Sequence, residues 1–188
     1  IAWTASPWDT KSLEFLLDYD LPFLKIASAN NTDHELLRMA CESKKPLLVS
    51  TGMSTLEELD ETVDFLETYS DGNYILLHTN SAYPTPAAEL NLQMIQTLRK
   101  RYHCLVGYSG HEIDLEPTVV AVSLGAKVIE RHVTLDHTMW GTDQEASLSV
   151  TAMAMLQGRM KEILQMLGNG EKTITEREKE VRRKLRGN

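Results

Sequence analysis

Lys25 stands inside the apolar run Phe23-Leu24-Lys25-Ile26-Ala27-Ser28. A charged amine in such a run loses its hydration unless a polar mouth or an anion receives it. Two chemistries answer to that lysine: a Schiff base with a carbonyl substrate, or a point charge that holds a phosphate. Ser28 and Ser50, hydroxyls at the ends of this run and the next, favour the phosphate.

His111 and His132 lie at or just beyond the ends of two successive apolar runs, Leu105 to Ser109 and Lys127 to Val133. Neighbouring parallel strands are about 4.8 Å apart, so imidazoles at adjacent strand ends reach one divalent ion and leave its other positions to water and substrate. An isolated histidine at either place more often packs in a core or caps a helix; the pair together points to a metal. His78, at another strand end, is open to three readings: a further ligand, a hydrogen-bond partner for phosphate, or an inward structural histidine. His34, His103 and His137 read as surface or loop residues. Ser6, Asn80 and Ser109 complete the set of polar strand ends. Each alone is the kind of residue that caps a helix or satisfies loop backbone, so the convergence carries the argument. The loop from Leu135 to Gln144 adds groups suited to sugar hydroxyls.

Those residues must be positioned by repeated strand-helix units. Six β-rich runs, Ile1 to Ser6, Phe23 to Ser28, Leu47 to Thr51, Tyr74 to Thr79, Leu105 to Ser109 and Lys127 to Val133, alternate with helix-like stretches. Helix starts are expected at Ser54 with Glu57 as a capping box, at Thr32 with Glu35, and at Asp114 before Leu115 to Ala126. Strands apolar on both faces imply a parallel sheet, doubly wound or closed as a (β/α)8 TIM barrel, and the polar strand ends favour the barrel. A whole barrel needs about 250 residues and eight strands, so the expectation is a fragment covering the last six units or so, with two units preceding Ile1. Residues 1–168 then form the partial barrel, and 169–188 a charged helix or linker toward a further domain.

With 42% hydrophobic residues, the 188-residue chain is long enough to bury one sizeable core. Its net charge of -8 argues against a broad basic face for nucleic acid or an anionic membrane, so an anionic ligand needs a local positive site. Cys41 and Cys104 form no CxxC pair, and the sequence has neither a signal-peptide pattern nor a long apolar span, which fits a reducing, cytoplasmic setting.

Seven ordered segments resemble the sialic acid synthase (N-acetylneuraminate synthase) family along nearly the whole chain. They are Ser6-Pro7-Trp8-Asp9, Lys25-Ile26-Ala27-Ser28, Ser50-Thr51-Gly52-Met53, His78 to Pro86, Gly107-Tyr108-Ser109-Gly110-His111, Glu130-Arg131-His132 and Trp140-Gly141-Thr142-Asp143. The resemblance implies a TIM barrel in which His111 and His132 bind Mn2+ or Mg2+ and Lys25, Ser28, Ser50, Asn80 and Ser109 hold phosphoenolpyruvate. It implies a metal-dependent condensation of phosphoenolpyruvate with N-acetylmannosamine or a related N-acetylated amino sugar, releasing phosphate, with Lys25, His111 and His132 as the catalytic residues. Asn30 and Asp143 fall in the sugar site, Ser6 near the ligand and Tyr83 among the substrate-binding residues, and Asn30 stands where many members carry an acidic residue. The family further implies a homodimer of the full-length protein, and catalytic groups from the first two strands and from a C-terminal antifreeze-like domain, so this chain alone is expected to be silent. A Schiff-base pyruvate aldolase using Lys25, or a non-catalytic barrel that binds phosphorylated ligands, are the competing readings.

Overall fold

The computed structural model describes residues 1–187. In chain order its elements are α1 (Thr10–Leu17), β1 (Leu24–Ile26), α2 (His34–Glu42), β2 (Leu47–Ser50), α3 (Leu56–Tyr69), β3 (Tyr74–Thr79) and α4 (Met94–Tyr102). There follow β4 (Leu105–Gly110), α5 (Glu116–Ser123), β5 (Ile129–Arg131), β6 (Val133–Thr134), β7 (Leu148–Ser149), α6 (Val150–Leu167) and α7 (Glu176–Arg186). Strands β1 to β5 form one parallel sheet in strictly sequential order. A doubly wound sheet reverses its strand order at a switch point; this one does not, and its winding is that of a barrel wall. The described residues build an arc of five strands, whereas ring closure takes eight.

Ile1 to Ser6 is not a strand. It runs beside β1 and is tied to it by side chains: Thr4 Oγ1 donates to the Phe23 carbonyl at 2.7 Å and Ser6 Oγ to the Lys25 carbonyl at 2.9 Å. Hydroxyls occupy the acceptors that a backbone ladder would use. The expected strand Lys127 to Val133 is also broken, because β5 pairs with β4 while β6 turns to pair with β7. His132 sits at the break, and its carbonyl accepts from the Leu148 amide at 2.8 Å.

All three expected helix starts shift. Thr55 and Glu58, not Ser54 and Glu57, form the capping box of α3; both pairs have the spacing, but Asn31 donates to Ser54 Oγ at 2.9 Å and takes that hydroxyl out of the contest. Asp33 rather than Thr32 caps α2, accepting from the amides of Glu35 and Leu36, because a carboxylate is the better N-cap. Helix α5 begins at Glu116 without any side-chain cap from Asp114 and ends at Ser123, short of Ala126. Asp114 is used otherwise, its carbonyl accepting from Arg131.

Period-two alternation divides the sheet into two faces. Leu24, Ile26, Leu47, Val49, Leu76 and Tyr108 are buried with residues of α1 to α5 such as Leu13, Leu37, Val63, Leu98 and Ala121. The opposite parity carries Lys25, Ser50, Thr79, Ser109 and Glu130. Among the described residues no helix is long and apolar enough to cross a membrane. Helix α7 buries none of its residues.

Candidate functional site

The second parity opens on a cavity of about 330 Å³ at the carboxyl ends of the strands, where ligands of parallel α/β folds bind. Nine expected residues line it: Ser6, Lys25, Ser28, Ser50, Tyr83, Ser109, His111, His132 and Asp143. Trp8, Thr79, Ser81 and Glu130 line it too.

At one end Lys25 Nζ donates to Ser50 Oγ at 2.8 Å and to the Ile26 carbonyl at 3.3 Å. Burial pushes its pKa down, and the nearby Glu130 carboxylate partly opposes the shift. Glu130 Oε2 is 3.4 Å from Nζ, within ion-pair reach, yet has no hydrogen-bond partner. Ser28 Oγ accepts from the Gly52 amide at 3.0 Å. A Cβ on Gly52 would collide with the hydroxyls of Ser28 and Ser81, so glycine is what lets this turn close over the lysine end. One amine, several hydroxyls and a carboxylate share one wall.

At the other end the rings of His111 and His132 meet edge to face with centroids 5.2 Å apart. His111 Nδ1 lies 2.6 Å from the Asn80 carbonyl. A carbonyl only accepts, so Nδ1 carries the proton and Nε2 the lone pair, the tautomer a metal ligand requires. Tyr83 stacks on this ring and its hydroxyl, 2.9 Å away, donates to Nε2. Burial lowers the His111 pKa, favouring the neutral ring. His132 Nδ1 lies 3.4 Å from Asp143 Oδ2. Among the described residues no three or more His, Cys, Asp or Glu side chains are gathered for a metal.

Three expectations meet a different arrangement. His78 is buried against the helices, its Nε2 donating to the Leu90 carbonyl at 2.8 Å; it pairs with Tyr108 in the sheet and so has the wrong parity for the cavity. The structural reading of His78 is the one that holds. Asn80 faces a neighbouring cavity of about 640 Å³, its amide donating to the Glu89 carbonyl and its Oδ1 accepting from the Ala82 amide. It serves His111 through its backbone carbonyl. Asn30 is buried below the rim, donates weakly to the Trp8 carbonyl at 3.4 Å, and leaves Oδ1 without a partner.

Glu130 is the residue that sequence reading passed over. Its signal was present: it precedes His132 by two, so the two share a strand face, and a carboxylate in an apolar strand invites the same question as Lys25.

A profile of the NeuB family matches residues 1–172. The chain is 35% identical over 180 residues to N,N'-diacetyllegionaminic acid synthase of Campylobacter jejuni, covering 95% of this chain and 54% of that protein. It is 40% identical over 149 residues to N-acetylneuraminate-9-phosphate synthase of Drosophila melanogaster, covering 79% and 40%. The chain thus spans about half the length of the curated relatives it matches. Its structure resembles that of N-acetylneuraminic acid synthetase from Leptospira borgpetersenii, solved with citrate, with a TM-score of 0.89 at 33% identity over 100% of this chain and 67% of that one.

Proposed function

This chain belongs to the NeuB family, and from that premise we propose that it forms the phosphoenolpyruvate and cation sites of a nonulosonic-acid synthase. The reaction joins phosphoenolpyruvate to the aldehyde of an open-chain N-acetylated amino sugar, N-acetylmannosamine or a near relative, and releases phosphate. The observation that carries this reading is the division of one cavity into an amine-and-hydroxyl end and a two-imidazole end.

Lys25, Ser28, Ser50 and Ser109 supply the charge and the hydroxyls that a phosphate and a carboxylate need, and they hold rather than react. His111, with Nε2 as its lone-pair nitrogen, and His132 would hold the cation. Two imidazoles with the Asp143 and Glu130 carboxylates nearby suit Mn2+ better than Mg2+, which favours oxygen ligands throughout. A divalent ion there supplies Lewis acidity to the sugar aldehyde. The methylene carbon of phosphoenolpyruvate adds to the aldehyde carbon, and water adds to the cationic carbon left behind. Collapse of that tetrahedral centre breaks the carbon–oxygen bond and expels phosphate. Glu130 Oε2, without a hydrogen-bond partner beside Lys25, is an acceptor for the proton of that water. Ser6, Tyr83 and Asp143 line the same cavity and would be left to meet the sugar.

The test is sugar-dependent phosphate release from phosphoenolpyruvate with Mn2+ by the longest protein containing this sequence, alongside direct binding of phosphoenolpyruvate. Release that stops with a chelator supports the synthase. One observation favours a second reading, since an amine whose pKa is lowered by burial also suits Schiff-base chemistry. Borohydride trapping of pyruvate on Lys25, unaffected by chelators, would replace the synthase by an aldolase. Binding without turnover in the longest protein containing this sequence would leave a phospholigand-binding barrel.

A further inference from the structure

Beneath the two histidines, on the helix-facing side of the sheet, lies a buried ion pair that touches neither end of the cavity. Glu112 directly follows His111, and Arg131 directly precedes His132. Their side chains are 4% and 0% exposed, and Arg131 Nη1 donates to Glu112 Oε1 at 2.9 Å. The other guanidinium nitrogen, Nη2, donates to the backbone carbonyl of Glu112 itself. Tyr108 donates to Glu112 Oε2 at 2.7 Å, Thr118 to Oε1 at 3.0 Å, and Arg131 Nη1 also reaches Thr118 Oγ1 at 2.9 Å and the Asp114 carbonyl at 3.2 Å. The Glu112 carboxylate folds back over Gly110, where an added Cβ would lie 2.6 Å from Oε2 and 2.7 Å from Tyr108 Cε1.

Cohesion alone does not call for this arrangement. Desolvating two charges offsets most of their attraction, and a well-packed apolar pair of the same volume holds two strands as well or better. What an apolar pair lacks is direction. The guanidinium grips both the side chain and the main chain of Glu112, so the turn carrying His111 is fixed against the strand residue next to His132. Because the pair is internally neutral, it sets geometry without adding net charge beneath a cation.

We propose that Glu112 and Arg131 are positioning residues whose buried ion pair sets the separation of His111 and His132 and thereby the affinity for the divalent ion. The inference rests on the cation reading above and extends it to residues that touch neither ion nor substrate.

The experiment measures Mn2+ binding by calorimetry and by electron paramagnetic resonance, beside thermal melting, for the purified chain and for variants. The double change Glu112→Leu with Arg131→Met is expected to fold, with a lowered melting temperature because the buried Tyr108 and Thr118 hydroxyls lose the Glu112 acceptor, and to bind Mn2+ about tenfold or more weakly, the scale of loss seen when the groups that orient metal ligands are removed. Arg131→Lys keeps the charge but cannot grip two acceptors in one plane. It is expected to weaken Mn2+ binding similarly and to broaden the resonance through heterogeneous coordination, and it decides the matter should the double variant not fold. Mn2+ affinity within twofold of the parent in either folded variant overturns the inference while leaving the cation reading intact, provided His111→Ala still abolishes binding. Absence of Mn2+ binding to the parent chain overturns both.

Discussion

Replacing His111 or His132 by alanine removes one of two imidazoles that meet edge to face at one end of the cavity, and neither ring is part of the main hydrophobic clusters. The expected outcome is loss of Mn2+ binding, and of metal-dependent turnover in the longest protein containing this sequence, with the fold kept: the melting temperature stays nearly unchanged for the partly exposed His132 and falls modestly for the buried His111, which bonds to the Asn80 carbonyl; unaltered turnover in metal-depleted buffer would end the metal assignment. Lys25→Met removes the amine that bonds to Ser50 and leaves Glu130 unpaired at the same wall. Loss of a charge-assisted hydrogen bond to phosphate, about 1.5–3 kcal/mol, should raise the phosphoenolpyruvate KM by roughly tenfold to a hundredfold by the same principle. Ordinary phosphoenolpyruvate kinetics in that variant would take Lys25 out of the site.

Among the elements, α3 owes its start to Thr55, whose hydroxyl accepts from the Glu58 amide while the Glu58 carboxylate answers the Thr55 amide. Thr55→Ala should lower stability by about 1 kcal/mol, and Thr55→Asp should largely restore it. Chemical denaturation of the two variants checks this; equal stabilities for Thr55→Ala and the parent would show that Ser54 can take over the cap. At the end of β4, Gly110→Ala drives a methyl into the Glu112 carboxylate and the Tyr108 ring. A loss of about 1–3 kcal/mol is expected from overpacking.

For the molecule as a whole, the buried His78 ties stability to pH. Burial holds its folded pKa below the ordinary imidazole value of 6.5. Between those two values the unfolded chain binds the extra proton, so stability is full above about pH 6.5 and falls as pH drops through that window toward the folded value. Thermal melts should therefore decline below about pH 6.5. His78→Gln, which can keep a donor to the Leu90 carbonyl, should flatten that decline. An identical pH profile for the variant would assign the acid sensitivity to another group.

Lys25 in an apolar strand, paired histidines at successive strand ends and hydroxyls closing the neighbouring strands are properties of residue type and spacing, so the sequence alone determined the strand-helix repeat, the cavity's position and most of its lining. It also held Glu130 in plain parity with His132. Three kinds of fact needed the tertiary structure. Which of two equally spaced pairs caps α3 was decided by Asn31, a residue far along the chain that claims Ser54. Ile1 to Ser6 has strand-like composition, but its hydroxyls bond to β1 and no ladder forms. His78 and Asn80 carry site-like chemistry, yet a one-residue difference in strand parity and a turn around Glu89 turn them from the cavity. Side-chain identity states what a residue is able to do; pairing register and competition for hydrogen bonds, which are settled between distant segments, decide what it faces.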